Sequence, residues 1–447
     1  MVPSLLLLLV PNEPILVKIE PNKVIRRNLT DFFGINVNAL RDNDANRPEA
    51  LPLRLALQDL SPRWLRYPGG EKSDFLRWSM PPYDRPRPTA IGGYKDIPGE
   101  KLDFDAFLTH VTDLKVTPLV VVGCDSEKRS SIPFETYFQD AVALVRYAKE
   151  KGDLITYWEI GNENWHNQSG TPAEIARWVE TFSEAMKKVN PRIKVGASGN
   201  SSDWWSRFLP LAADHLDFVT VSQYTGWEWK GYERFVSSPP PELIPDVRAT
   251  VAAVRSYIPE SRRSSFEVVV TEMNTKDYSE GGWQDANDIK HALVTFTSLG
   301  EMAKLPEVRS ALVWNTRWIK DDEASRSMFY ALDSQNRPLA TGQALRLWAS
   351  NSLPWLVNSS TPGSSVTSFA SRSTDGSLVN VWLVNRTFSN QMVRIDLPGS
   401  GLRLISADEM REVGDGVVET RGIGLPRSPS RVTLSPLSAS VWRFGRS

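Results

Sequence analysis

Eight short apolar runs, separated by longer amphipathic stretches, recur between residues 31 and about 344. They are Phe33 to Asn38, Trp64 to Tyr67, Thr117 to Gly123, Ile155 to Ile160, Ile193 to Ala197, Phe218 to Tyr224, Val268 to Glu272 and Ala311 to Asn315. Continuous apolar runs of this length suit strands buried on both faces, and helical stretches between them supply the crossovers that parallel pairing requires. Phe134 to Lys151 and Pro172 to Val189 read as two such helices, the second opened by Thr171 before a proline. Eight strand–helix units close a (β/α)8 TIM barrel, so an α/β fold is expected. After Trp348 the texture changes to Ser, Gly, Thr and Asn clusters between short alternating segments such as Ser377 to Val384, Met392 to Leu397 and Ser440 to Phe444. That pattern predicts a C-terminal antiparallel β-sandwich. Ile15 to Ile19 alternates in the same way, so the expected division is a barrel over 31–347 and an accessory sandwich built from 1–30 and 348–447.

Composition narrows the partners. Lys plus Arg number 52 against 53 Asp plus Glu, without long like-charge runs, which argues against nucleic acid or an anionic membrane surface. A carbohydrate fits the 16 Trp better, since flat indole faces stack on sugar rings, although most Trp fill cores. The single cysteine, Cys124, excludes an internal disulfide and a cysteine-rich zinc site. His110, His166, His215 and His291 lack H-x-x-x-H spacing, so neither a catalytic metal nor a cofactor is expected. Nucleotide-binding glycine motifs are absent, and Gly196-Ala197-Ser198-Gly199-Asn200 misses the serine-hydrolase elbow at its last glycine. Leu5 to Val10 reads as a clipped signal remnant or a strand. Sequons at Asn28, Asn167, Asn200, Asn358 and Asn385 matter only in a glycosylating, secreted setting; a secreted or periplasmic location is favoured over a cytoplasmic one. Oligomeric state is not readable.

In a barrel of this kind the chemistry sits where strands end, so polar residues closing an apolar run matter most. Two are glutamates. Glu163 follows the fourth run in Gly161-Asn162-Glu163-Asn164, and Glu272 closes the seventh. Cleaving a glycosidic acetal with retention needs one carboxylic acid to protonate the leaving oxygen and one carboxylate to attack the anomeric carbon. Glu163 is the candidate acid/base and Glu272 the candidate nucleophile. The plain alternative for either is a loop residue in a surface ion pair.

Gly161-Asn162-Glu163 after strand four, with Glu272 after strand seven, resembles the signature of clan A retaining glycoside hydrolases. The resemblance implies that Asn162 contacts the sugar's 2-hydroxyl, that Arg66 orients the nucleophile, that Tyr224 touches it, and that Trp314 floors the sugar subsite. Arg66-Tyr67-Pro68-Gly69-Gly70 and Glu159-Ile160-Gly161-Asn162-Glu163-Asn164 look like family 51 α-L-arabinofuranosidases. Leu60-Ser61-Pro62-Arg63-Trp64-Leu65-Arg66 and Gly69-Gly70-Glu71-Lys72-Ser73-Asp74-Phe75-Leu76 look like the heparanase and β-glucuronidase group, family 79. Both families place a His shortly before the strand-six Tyr, where this chain reads Val221-Ser222-Gln223-Tyr224. The family 79 pattern ends strand one on an acidic residue and follows the acid/base with Pro, where this chain has Asn36 and Asn164.

Asn36 and Trp165 join the candidate substrate contacts, and Trp227, Trp229, Trp283 and Trp318 are further candidates for stacking. Lys72, Arg77, Arg129, Arg317 and Lys320 could form a cluster for a uronic acid or sulfated sugar, unless they are solvated surface charges. The expected function is retaining hydrolysis of plant or matrix polysaccharide, most like that of an α-L-arabinofuranosidase. A glucuronidase-like enzyme, a xylosidase or glucanase of the same clan, and a non-catalytic glycan-binding protein are the alternatives.

Overall fold

The computed structural model describes residues 13–124, 132–166, 170–225, 232–275, 287–318, 330–363, 365–399, 401–426 and 431–446. Leu5 to Val10, Arg129, Asn167, Trp227, Trp229, Trp283 and Lys320 lie outside the described residues. Eight parallel strands close a barrel in chain order: Phe33–Asn36, Trp64–Tyr67, Thr117–Val122, Tyr157–Ile160, Lys194–Ser198, Phe218–Thr225, Glu267–Thr275 and Val308–Val313. Each expected run is one of these strands. The helix Pro172–Val189 begins where expected, because Thr171 and Glu174 form a reciprocal capping box ahead of the proline.

Alternation along the strands sorts the barrel core into two sets. Leu65, Val120, Trp158, Val219 and Val268 face outward into the large cluster between strands and helices. Trp64, Leu119, Val121, Tyr157, Phe218, Val269 and Leu312 face inward and plug the barrel. The plug has no space to spare. A Cβ on Gly34 would fall 2.6 Å from Trp64 Cβ, and one on Gly196 would fall 2.3 Å from the Phe218 ring, so both positions need glycine.

The seventh strand breaks the alternation. Val270 pairs with Val221, but the next partner of Ser222 is Glu272, so Thr271 is an extra residue in the ladder. The eighth strand records a shift over the same stretch, Val270 pairing with Ala311 and Met273 with Val313. Strict period two would send Glu272 outward with Val268 and Val270. The inserted residue re-aims it into the barrel mouth.

Nine strands form the accessory sheet, and Ile15–Arg27 is one of them. It runs antiparallel to Trp355–Ser360 but parallel to Gln391–Asp396, the one parallel pairing recorded in this sheet. In Leu378–Asn385 the residues Val379, Val381 and Leu383 join the sheet's own core, whereas Trp382 and Val384 join the barrel's cluster. Both faces are therefore buried. Trp348 seals the junction, stacked on Phe296 at 4.8 Å and close to Trp382 at 4.4 Å. No described helix is long and apolar enough to cross a membrane.

Candidate active site

Two residues above the plug, the same strands turn polar. Asn36 follows Gly34, Arg66 follows Trp64, Glu159 follows Tyr157 and Thr220 follows Phe218. Arg66 is fully buried and organises the group. Its Nε donates to Glu159 Oε2 at 2.9 Å, Nη1 to Glu272 Oε1 at 2.9 Å and to Asn36 Oδ1 at 3.1 Å, and Nη2 to Asn162 Oδ1 at 2.7 Å. Burial pulls the guanidinium pKa down, and Glu159 and Glu272 more than reverse that, leaving it above its ordinary value. The other Glu272 oxygen accepts from the Tyr224 hydroxyl at 2.7 Å. Burial, Glu272 and Glu163 together hold that phenol far above its ordinary pKa, so it remains a donor.

Glu163 stands on the loop after the fourth strand with φ 45°, a left-handed conformation unusual for a residue with a side chain. Gly161, at φ 69°, opens the same turn, and a Cβ there would collide with Asn164 Oδ1 and Cys124 Sγ. The Glu163 carboxyl is pushed up to about 8, by burial first and then by the charge of Glu272, while Ser222 pulls it slightly back. One carboxyl thus holds its proton near neutrality beside another gripped by Arg66 and Tyr224. Such a separation of roles is what acid–base work on an acetal needs.

The remaining candidates are placed as follows. Asn36 spends its amide inside the protein, donating to the carbonyls of Thr271 at 2.7 Å and Val313 at 3.2 Å while accepting from Arg66. Asn162 makes no hydrogen bond through Nδ2 to the described residues. Trp314 is 2% exposed and sits against Gly70, where a Cβ would come within 2.1 Å of its ring and 3.0 Å of Glu272 Oε1. Trp165 is half-buried, its ring 5.2 Å from His166. The described members of the basic cluster do not assemble as an open receptor. Arg77 is paired with Asp140, Arg317 with Asp42 and Asn336, and Lys72 is sealed from solvent, so these three are neither surface charges nor free hands for an anionic sugar.

Sequence reasoning missed two residues. Glu159 is fully buried and bound by Arg66 and by Thr220 at 2.6 Å, and Ser222 faces Glu163 where a histidine was sought. Among the described residues, the group spaced to hold a metal is Glu180, Glu184 and His215 on the helical exterior; His215 already pairs with Glu180 at 3.6 Å.

The fold is a (β/α)8 barrel with an accessory sheet, and its strand ends gather a buried Arg–Glu–Glu–Tyr network beside a third glutamate, Glu163. A family model, the α-L-arabinofuranosidase 1 domain, matches residues 56–230. An intracellular exo-α-(1→5)-L-arabinofuranosidase of Acetivibrio thermocellus is 23% identical over 272 residues, covering 56% of this chain and 52% of that protein. The intracellular exo-α-(1→5)-L-arabinofuranosidase 1 of Bacillus subtilis is 24% identical over 207 residues, covering 41% and 40%. This chain thus spans about half the length of the curated relatives it matches. The structure of an α-L-arabinofuranosidase from Thermotoga maritima superposes with a TM-score of 0.75 at 17% identity, over 96% of this chain and 99% of that one. Over the matched stretches the chain is similar to α-L-arabinofuranosidases, and over nearly its whole length it shares the fold of one.

Proposed function

We propose that the protein hydrolyses α-L-arabinofuranosides of plant or matrix polysaccharide with retention, by double displacement. The observation that carries this reading is the asymmetry of the two glutamates. Glu272 accepts from Arg66 and Tyr224 on separate oxygens, and Glu163 keeps its proton up to about 8. In the first displacement Glu163 protonates the departing glycosidic oxygen while Glu272 attacks the anomeric carbon, which asks for carboxyls roughly 5 to 5.5 Å apart. Glycosylation neutralises Glu272, so Glu163 loses the neighbour that repelled its ionised form. It can then take a proton from the incoming water. The uncommitted Asn162 Nδ2 is suited to donate to the 2-hydroxyl.

The test compares the parent with Glu272→Ala on aryl α-L-arabinofuranoside, xyloside, glucoside and glucuronide. The expected result is turnover of the arabinofuranoside by the parent and a loss on the order of 10⁴-fold in the variant, as for removal of a nucleophile. Azide should restore activity by filling the space of the lost carboxylate. Equal turnover by both proteins removes Glu272 from the reaction, and preference for another glycoside replaces the sugar.

A further inference from the structure

Behind the candidate nucleophile lies a cation that the mechanism above does not use. Lys72 is carried by the tight turn Gly70–Asp74 and has no solvent exposure. Its Nζ has no hydrogen-bond partner among the described residues. It rests instead against two indoles, 4.3 Å from the Trp314 centroid and 4.9 Å from that of Trp318. The charged groups facing it are Glu272, Asp42 and Arg66. Asp42 is already committed, to Arg317 through one oxygen and through the other to Thr316 and the Asn38 amide at 2.7 Å. Glu272 is therefore the facing carboxylate whose charge changes during the proposed reaction.

We propose that Lys72 is a positioning residue acting through Glu272, its ammonium favouring the second displacement, in which Glu272 departs from the sugar. This rests on the reading of Glu272 as nucleophile. In that step the water oxygen bonds to the anomeric carbon, a water proton passes to Glu163, and the bond to Glu272 breaks with its electron pair returning to the carboxylate. While the ester exists, Lys72 faces Arg66 and its own burial with one anion fewer. Departure of Glu272 restores that anion, so the ammonium pulls the intermediate toward hydrolysis. It opposes the first displacement by the same logic, since that step consumes the charge. Arg66 and Tyr224 already donate to one oxygen each of Glu272. A cation held by aromatic faces adds its field without adding a further hydrogen bond to either oxygen. Burial first of all, and Arg66 last, lower the ammonium pKa, which Glu272 and Asp42 draw partly back, to about 7. In the free protein the charged form is thus lost as pH rises through neutrality, and in the ester, where Glu272 carries no charge, at lower pH still.

The decisive variant is Lys72→Met, which keeps the volume and removes the charge, tested on an aryl α-L-arabinofuranoside with a good leaving group. Because kcat/KM reports the first displacement and kcat the slower second one, the expected result is a split. kcat should fall about tenfold, the size of one pKa unit of charge interaction. KM should fall with it, kcat/KM should hold or rise, and the pre-steady-state burst of aryl alcohol should become larger relative to the steady-state rate than in the parent. A merely structural lysine predicts kcat and kcat/KM falling in parallel with no gain in burst over the parent, and a bystander predicts no change; either result overturns the proposal. The parent supplies an independent check if the variant fails to fold, since its kcat should begin to fall at a lower pH than its kcat/KM. Coincident limbs overturn the proposal. If Glu272→Ala retains full turnover, the underlying mechanism has failed; if it is inactive and rescued by azide while Lys72→Met matches the parent, only this inference has.

Discussion

The two storeys of the barrel interior are built on the same strands, two residues apart, and follow opposite rules. In the lower storey Trp64, Tyr157, Phe218 and Leu312 make an apolar plug, with Trp64 and Tyr157 edge to face at 4.7 Å. In the upper storey Arg66, Glu159 and Thr220 place buried charges and hydroxyls on the next inward positions. The plug gains stability from every contact. Upper-storey groups first lose hydration and then recover it only through one another, so their net stabilisation is small and their arrangement is fragile. The difference teaches that folding alone accounts for the lower residues and not for the upper ones.

Removing the hub should break the upper storey most severely. Arg66→Met leaves Glu159 and Glu272 buried without their cation, and a cost of about 3 to 5 kcal/mol is expected for such an orphaned pair. Urea unfolding should show that loss. Where the variant folds, kcat/KM should fall roughly 10²- to 10³-fold, as when a positioned electrostatic donor is lost. A variant that keeps parental stability and activity would mean the network is ornamental.

The lower storey should answer differently. Trp64→Ala opens a cavity in the plug and should cost about 3 to 5 kcal/mol, in the upper range for a buried aromatic. Trp64 lies two residues below Arg66 and outside its hydrogen-bond network, so the folded fraction at low temperature should retain kcat within a few-fold. If kcat instead collapses with structure intact, the two storeys are not separable and Arg66 depends on Trp64 for its position.

Legibility followed the same division. The eight strands were readable because both-face burial leaves an unbroken apolar run, and Glu163 stood out because it follows one; Asn162, Arg66 and Tyr224 were singled out by the resemblance alone. Glu159 sits mid-strand between Trp158 and Ile160, and its partner Arg66 is 93 residues away, so no local pattern marks the pair. Lys72 follows two glycines and Glu71 and reads as a loop charge; the indoles it packs against, Trp314 and Trp318, are far off in sequence. The aim of Glu272 was hidden for another reason. Parity assigns it to the outer face, and the extra residue at Thr271 that reverses this is a property of pairing with both neighbouring strands.

The smallest effect sharpens the comparison most, because it asks whether an upper-storey group lowers stability while enabling chemistry. In the folded protein Glu163 keeps its proton up to about 8, against an ordinary value of 4.5. Between those limits the folded state holds more protons than the unfolded chain, so stability falls as pH rises from about 4.5 through 8. Below 4.5 both states are protonated and the penalty vanishes. Glu163→Gln removes the titration while keeping shape, so its Tm should match the parent's at pH 4 and exceed it at pH 8, read by calorimetry at both pH values. The same variant should lose the alkaline limb of kcat/KM along with most activity on substrates with poor leaving groups. A Tm difference that does not change with pH would mean that Glu163 is not held protonated, and the acid would have to be sought elsewhere in the mouth.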